Sequence, residues 1–267
     1  MIFPLISFYL IVLDIKDGPE SILLAIDKTA IIQNAQKFAA KGQIDKAIEE
    51  WQKLAKDSPN DGNIYNSIGD LYLKKNKNAE AVAAFSKAGV AFEKAGFALK
   101  TIAVYKKIIK LEPDNQDIHI KLADLDAERG LVGNAIEEYL KVIRQYTQKG
   151  FIKDSIVIYK KIVALDPNNV MVRNKLIDLL TKEGDKKGAA EQYVHLGVAL
   201  KNQNKVLEGE EALRRALAID PNQSQAQALL KDFRSSPATA PIQAQVSASG
   251  PAPSDFSGPV EFSLDDS

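Results

Sequence analysis

Four short stretches, "DSPND" at 57–61, "LEPDN" at 111–115, "LDPNN" at 165–169 and "IDPNQ" at 219–223, place their prolines at one constant interval, at Pro59, Pro113, Pro167 and Pro221. A proline has no N–H for a helical bond and drives the residue before it out of helical geometry, so each marks a helix end. A fixed period of this length is the signature of an array of supersecondary units rather than of a fold with unique parts. The chain is therefore expected to stack one unit again and again.

Residues 28–61 show what the unit contains. Ile31, Ile32, Ala35, Phe38 and Ala39 recur at helical spacing, Gly42 interrupts them, and a second amphipathic run follows through Ile44, Ala47, Ile48, Trp51 and Leu54 up to Pro59. This helix–turn–helix resembles the tetratricopeptide repeat. That family's pattern puts a large residue fourth, small ones eighth and twentieth, an aromatic twenty-fourth and proline thirty-second. Ile31, Ala35, Ala47, Trp51 and Pro59 take those places in the first copy, and Tyr65, Gly69, Ala81 and Phe85 in the second.

The second copy departs from the family in having Glu93 where the proline belongs. Its second helix is then free to run on, and a third copy counted back from Pro113 begins at Val82, inside that helix. The same overlap recurs around Tyr139 and Tyr193, with Thr147 and Lys201 in place of proline. The reading is an all-α, tetratricopeptide-like helical solenoid over 26–234. A two-helix opener leads into 54-residue units of three helices each, giving seven overlapping repeats, eleven repeat helices and a closing helix after Pro221. Each unit is amphipathic and buries its apolar face only against its neighbours. Small residues such as Gly69, Ala81, Gly89, Ala123 and Ala189 allow close helix approach, and Trp51, Phe85, Tyr105, Tyr139, Tyr159 and Tyr193 form a packing column.

The two ends read differently. Residues 1–13, "MIFPLISFYLIVL", are nearly all apolar but too short for a spanning helix, which needs about 20 residues. Three readings of 1–25 stay open: a membrane-associating segment, a cover for the exposed end of the stack, or sequence upstream of the true start. The 235–267 tail is rich in Ser, Ala and Pro, a composition that favours disorder. It finishes in "PVEFSLDDS", where Val260, Phe262 and Leu264 alternate with Glu261, Ser263 and Asp265. This is either an acidic solubilising end or a short motif that adds to a partner's groove.

No catalytic pattern is visible. Cysteine is absent, which excludes thiolate chemistry and disulfides. His119 and His195 lack ligand-spaced partners and read as structural, and no phosphate loop or nucleophile motif occurs. Neighbouring acids such as Glu49–Glu50 and Glu137–Glu138 do not face one another on a helix. No enzyme, metal or cofactor is expected. Thirty-five basic residues balance thirty-five acidic ones, which argues against a nucleic-acid partner.

What is left is a surface. The resemblance implies that the first helix of each repeat lines a concave groove for a peptide or partner protein, through places two, five, nine and thirteen. These are Asn63, Asn66, Asp70 and Lys74; Asp117, Ile120, Asp124 and Glu128; and Met171, Asn174, Asp178 and Lys182. The clamp with which some family members hold a C-terminal carboxylate is not implied, since Ile32, Gln36, Asn66 and Asp70 stand where its lysine and asparagine would. The expectation is a bacterial, cytoplasmic protein-interaction scaffold. The alternatives are an assembly or secretion factor tethered to a membrane by 1–13, and a self-assembling scaffold.

Overall fold

The structure, a computed structural model, describes residues 19–235, with side chains from 28 to 233. The apolar run at 1–13 and the tail beyond Ser235 lie outside the described residues. Among the described residues there are twelve helices and no strand. They are α1 (Pro19–Ala40), α2 (Ile44–Asp57), α3 (Gly62–Lys74), α4 (Asn78–Lys94), α5 (Ala98–Leu111), α6 (Gln116–Glu128), α7 (Val132–Lys149), α8 (Ile152–Leu165), α9 (Val170–Lys182), α10 (Lys186–Asn202), α11 (Val206–Ile219) and α12 (Ser224–Ser235). The eleven repeat helices and the closing helix are all present. The first begins at Pro19, ahead of the expected boundary at 26, with its proline at the first helical position, where a missing N–H costs nothing.

The proline beat has a local cause beyond stopping a helix. After Pro59, Pro113 and Pro167 the chain makes one tight turn, and the next-but-one residue opens the following helix. Asp61, Asn115 and Asn169 each accept a bond from a backbone N–H of the first turn, at 2.8, 3.1 and 3.1 Å. The other two turns of each unit keep the same period. Gly42, Gly96, Gly150 and Asn204 form one evenly spaced series with φ between 61° and 75°, and Asn76, Gly130 and Gly184 form another, with φ from 56° to 77°. In the first series the residue after the left-handed one bonds five residues back, as in Gln43 N–H to Phe38 O, which closes the helix end. Where no proline intervenes, α4, α7 and α10 run to 17, 18 and 17 residues, against 12 to 14 for the other helices after α1. These are the long helices shared between overlapping repeats.

Side-chain contacts fix how the helices stack. Lys107 on α5 reaches Asn66 and Asp70 on α3. The Tyr105 hydroxyl on α5 donates to Glu93 on α4 at 3.0 Å and accepts from Lys121 on α6 at 3.4 Å. Lys161 on α8 reaches Asp124 on α6, and Lys201 on α10 reaches Asp232 on α12. Helices two apart in sequence are thus neighbours, and the chain zigzags between a layer of odd-numbered and a layer of even-numbered helices. A unit with an odd number of helices changes layer at each step. The equivalent helices α3, α6 and α9 therefore alternate: α3 and α9 lie in one layer, α6 in the other.

The core follows the expected column. Phe85, Tyr105 and Tyr139 are buried, and Trp51, Tyr159 and Tyr193 are half-buried. Gly69, Ala81, Gly89, Ala123 and Ala189 are all buried, and a Cβ added at Gly69 would lie 2.5 Å from the Phe85 ring.

Three polar side chains also follow the proline period, His119 and Arg173 buried and Gln227 exposed. His119 places Nε2 2.8 Å from the Pro113 carbonyl and Nδ1 2.5 Å from Glu138 on α7. In the next unit Arg173 donates to the Pro167 carbonyl at 2.7 Å and to Gln192 on α10 at 2.6 Å, and Gln227 donates to Pro221 at 2.9 Å. Each of these three proline carbonyls, left without a helical partner, is satisfied by the side chain six residues on. His119 is structural, as expected.

Burial resists the ionisation of Glu138, but hydrogen bonds from Lys141 and His119 outweigh it and hold the carboxyl below its ordinary value of 4.5. A depressed folded value means stability that is complete above about pH 4.5 and lost as pH falls through the folded value. Glu138→Gln, which installs the amide found at Gln192, should therefore lower the urea midpoint at pH 7. Wild type and variant should converge once pH falls below the folded value and the carboxyl is protonated in both states, and a gap that persists there would rule out the carboxylate as its source.

Candidate interaction surface

The first two three-helix units carry the same trio across the central helix: an acid from the first, an aromatic ring from the second, a cation from the third. In the first unit Lys107 bonds Asp70 at 2.6 Å and Asn66 at 2.9 Å, with its ammonium 4.9 Å from the centre of the Phe85 ring. In the second, Lys161 bonds Asp124 at 2.6 Å and lies 5.5 Å from the Tyr139 ring. The Tyr139 hydroxyl also donates to Asp124, and burial together with that carboxylate raises its pKa. These ion pairs are a third or more exposed and contribute at most about 1 kcal/mol each. The third unit breaks the pattern. Arg215 turns to Glu211 on its own helix at 2.6 Å and to Tyr193. No hydrogen bond or ion pair engages Asp178 among the described residues.

The twelve first-helix residues therefore differ in what they offer. Asn66, Asp70 and Asp124 are tied to lysines two helices along. Asn63 bonds Asp61 and accepts from Lys100 at 3.3 Å. Ile120 is packed against the core, while Lys74, Asp117 and Glu128 are exposed. Met171, Asn174, Asp178 and Lys182 are all exposed on α9, Met171 at 70%. Because α3 and α9 are odd-numbered and α6 even-numbered in the zigzag, the twelve residues do not share one layer. The signal for the lysines was in the sequence: Lys107, Lys161 and Arg215 recur on the same beat as the prolines.

A different groove opens over α3, between α2 and α4. Tyr65, Ile68, Tyr72 and Ala84 line it together with Lys56 from α2, Lys87 from α4 and one acid, Glu80, which is paired with Lys77, and its volume is about 460 Å³. A second cavity of about 340 Å³ shares Tyr65 and Lys87 and continues along α4 past Val90 to Lys94. Lys87 lies 5.8 Å from the Tyr65 ring centre, and no ion pair engages Lys56, Lys87 or Lys94 among the described residues. The groove is larger than its counterpart in the second unit, a cavity of about 200 Å³ beside Leu122, Asp126 and Glu138, and the first unit lacks the polar bridge of the other two. Tyr65 and Ala84 stand one period before His119 and Glu138, and Arg173 and Gln192 come one period after them. Alanine cannot reach across as Glu138 does, which leaves the wider opening in the first unit.

Among the described residues there is no cluster of His, Asp or Glu able to hold a metal, and no helix long and apolar enough to cross a membrane. His195 is exposed on α10. Glu50 is paired with Lys53 at 2.6 Å, and Glu138 with Lys141 at 2.6 Å.

Antiparallel helix pairs stacked in register, with small residues beneath large rings and a proline turn closing the hairpins, define an α-helical repeat solenoid. The repeat itself is that of a known family. Residues 35–76 match the TPR repeat and residues 190–223 the tetratricopeptide repeat, so the chain carries tetratricopeptide repeats in those two stretches. No curated protein matches it. Solved structures similar to it include a tetratricopeptide repeat protein from Parabacteroides merdae, 15% identical, covering 78% of this chain and 98% of that one with a TM-score of 0.23. MamA is 17% identical over 74% of this chain and 94% of its own, with a TM-score of 0.23. The TPR2AB-domain:pHSP90 complex of yeast Sti1 is 17% identical over 79% and 96%, with a TM-score of 0.24. These scores are too low for anything to be carried from those proteins to this one.

Proposed function

We propose that the chain is a protein-interaction scaffold that takes an extended partner segment in the groove over α3. The observation that supports this is the departure of the first unit from its siblings. Where the second and third units carry the His119–Glu138 and Arg173–Gln192 bridges, and the second keeps only a smaller cavity of about 200 Å³, the first leaves an aromatic-floored channel lined by Lys56, Lys87 and one acid, Glu80. An apolar floor gives affinity by burial, and the rim cations select acidic flanks and exclude basic ones. Because the stacked helices fix the groove before binding, little ordering entropy is lost on the scaffold's side.

A random-peptide library selected on the full chain should yield sequences that alternate apolar and acidic residues. Reversing both rim charges, Lys56→Glu with Lys87→Glu, should weaken the selected peptides about ten-fold, while Lys175→Glu on the exposed face of α9 should leave them unchanged. Peptides that bind both reversals equally well would remove the groove from consideration. A second reading rests on α9, where Met171, Asn174, Asp178 and Lys182 are exposed together and Asp178 has no cation. Peptides lost on Asp178→Lys and kept on the rim reversals would move the site there.

A further inference from the structure

The formally neutral charge of the chain is unevenly distributed. Residues 236–267 contain Asp255, Glu261, Asp265 and Asp266 and no lysine or arginine, so the rest of the chain carries the compensating positive excess. The end of that stretch matches the groove over α3 in length and in charge. Taken as a strand, Val260, Phe262 and Leu264 fall on one edge at intervals of about 6.6 Å, spanning about 13 Å. On α4 the groove runs from Ala83 to Lys94, about 16 Å at the rise of a helix. Glu261, Ser263 and Asp265 fall on the other edge, their two acids opposite in charge to Lys56, Lys87 and Lys94, which outnumber the one acid of the lining, Glu80.

We propose that residues 259–267 of the same chain occupy this groove, apolar edge down, as an internal competitor that an acidic partner segment must displace. The proposal rests on the reading of the groove as a site for extended segments. Length permits it. Eight helices in two layers advance the stack from α4 to α12 by about 40 Å at a spacing of roughly 10 Å per pair, and the chain from 235 to 259 reaches up to about 79 Å. A tethered segment meets the groove at an effective concentration far above that of a free one, so even a weak fit suffices for occupancy.

The test uses the full chain, wild type and the tail variant Val260→Ser/Phe262→Ser/Leu264→Ser, with a fluorescein-labelled peptide of residues 256–267 as probe. Fluorescence anisotropy should show the peptide binding the tail variant at least about ten-fold more tightly than wild type, because the internal segment no longer competes. Adding Lys56→Glu/Lys87→Glu to the tail variant should abolish that gain, with helical circular dichroism unchanged. Equal binding to wild type and tail variant would overturn the internal occupant while leaving the groove as a peptide site. No binding to the tail variant would overturn both. A wild-type mass that rises with concentration between about 1 and 100 μM, and stays monomeric in the tail variant, would replace the internal segment with that of a second copy.

Discussion

A single methyl group at Gly89, introduced as Gly89→Ala, should destabilise the chain by about 1–3 kcal/mol, whereas the same change at Gly133 should stabilise it by up to about 1 kcal/mol. Both glycines lie inside helices, where alanine is the better helix former, so propensity alone assigns them the same sign. Packing separates them. A Cβ at Gly89 would overlap the Tyr105 ring, while a Cβ at Gly133 meets nothing within 4 Å. Tyr105 has nowhere to retreat: it is fully buried, its hydroxyl is bonded to Glu93, and Lys121 lies 5.5 Å from its ring. Removing the ring should therefore rescue the methyl. Gly89→Ala combined with Tyr105→Leu should be more stable than the sum of the single changes predicts, by about 1 kcal/mol or more. Urea denaturation of wild type, the two single variants and the double variant decides it. Shifts of the same sign at Gly89 and Gly133, or strict additivity with Tyr105→Leu, would show that the close α4–α5 approach is not what this glycine serves.

Most of the fold could be read in the sequence because each joint leaves a local mark. The turn after each proline supplies both the stop of one helix and the cap of the next, and its absence at Glu93, Thr147 and Lys201 coincides with the three longest helices after α1. The start of α1 differs from the expected one for an equally physical reason. A repeat boundary is set by packing against the helix before it, and α1 has none among the described residues. Its own hydrogen bonding then continues back to Pro19, beyond the point where the repeat pattern begins.

The surface was less legible. Places two, five, nine and thirteen share one face only when each repeat contributes two helices, because an even number returns the chain to the same layer. Three helices per unit put α6 in the other layer, and no local residue pattern announces this. The ion pairs needed one further step. Asp70 and Lys107, like Asp124 and Lys161, are 37 residues apart, a separation that becomes a contact only once α3 and α5 are known to be neighbours. The groove over α3 was present in the sequence as two aligned columns, Tyr65–His119–Arg173 and Ala84–Glu138–Gln192. Each column alone is an ordinary substitution. Their facing each other across a helix pair is what makes the change from a polar bridge to an alanine a cavity.

Phe85→Ala should be the costliest of these single changes, at about 3–5 kcal/mol, and its damage should stay local. The ring is fully buried, fills the space above Gly69 and carries the Lys107 ammonium over its face. Truncation leaves a void at the α3–α4–α5 junction and removes a cation–π contact at once. In a globular core such a loss is shared by the whole domain. In a stack where each helix packs mainly on its neighbours, stability is closer to a sum of unit and interface contributions, so the loss is confined to the units that touch the void. Amide hydrogen exchange should therefore quicken by about a hundredfold across residues 62–111 and change little across α10 and α11. Uniform acceleration from α1 to α12 would mean that the solenoid unfolds as one body. The same void gives a second readout: Gly69→Ala, which in the wild type drives a Cβ to 2.5 Å from the Phe85 ring, should be tolerated once that ring is gone. Persistent damage from Gly69→Ala in the Phe85→Ala background would place the cost in the helix backbone rather than in the contact.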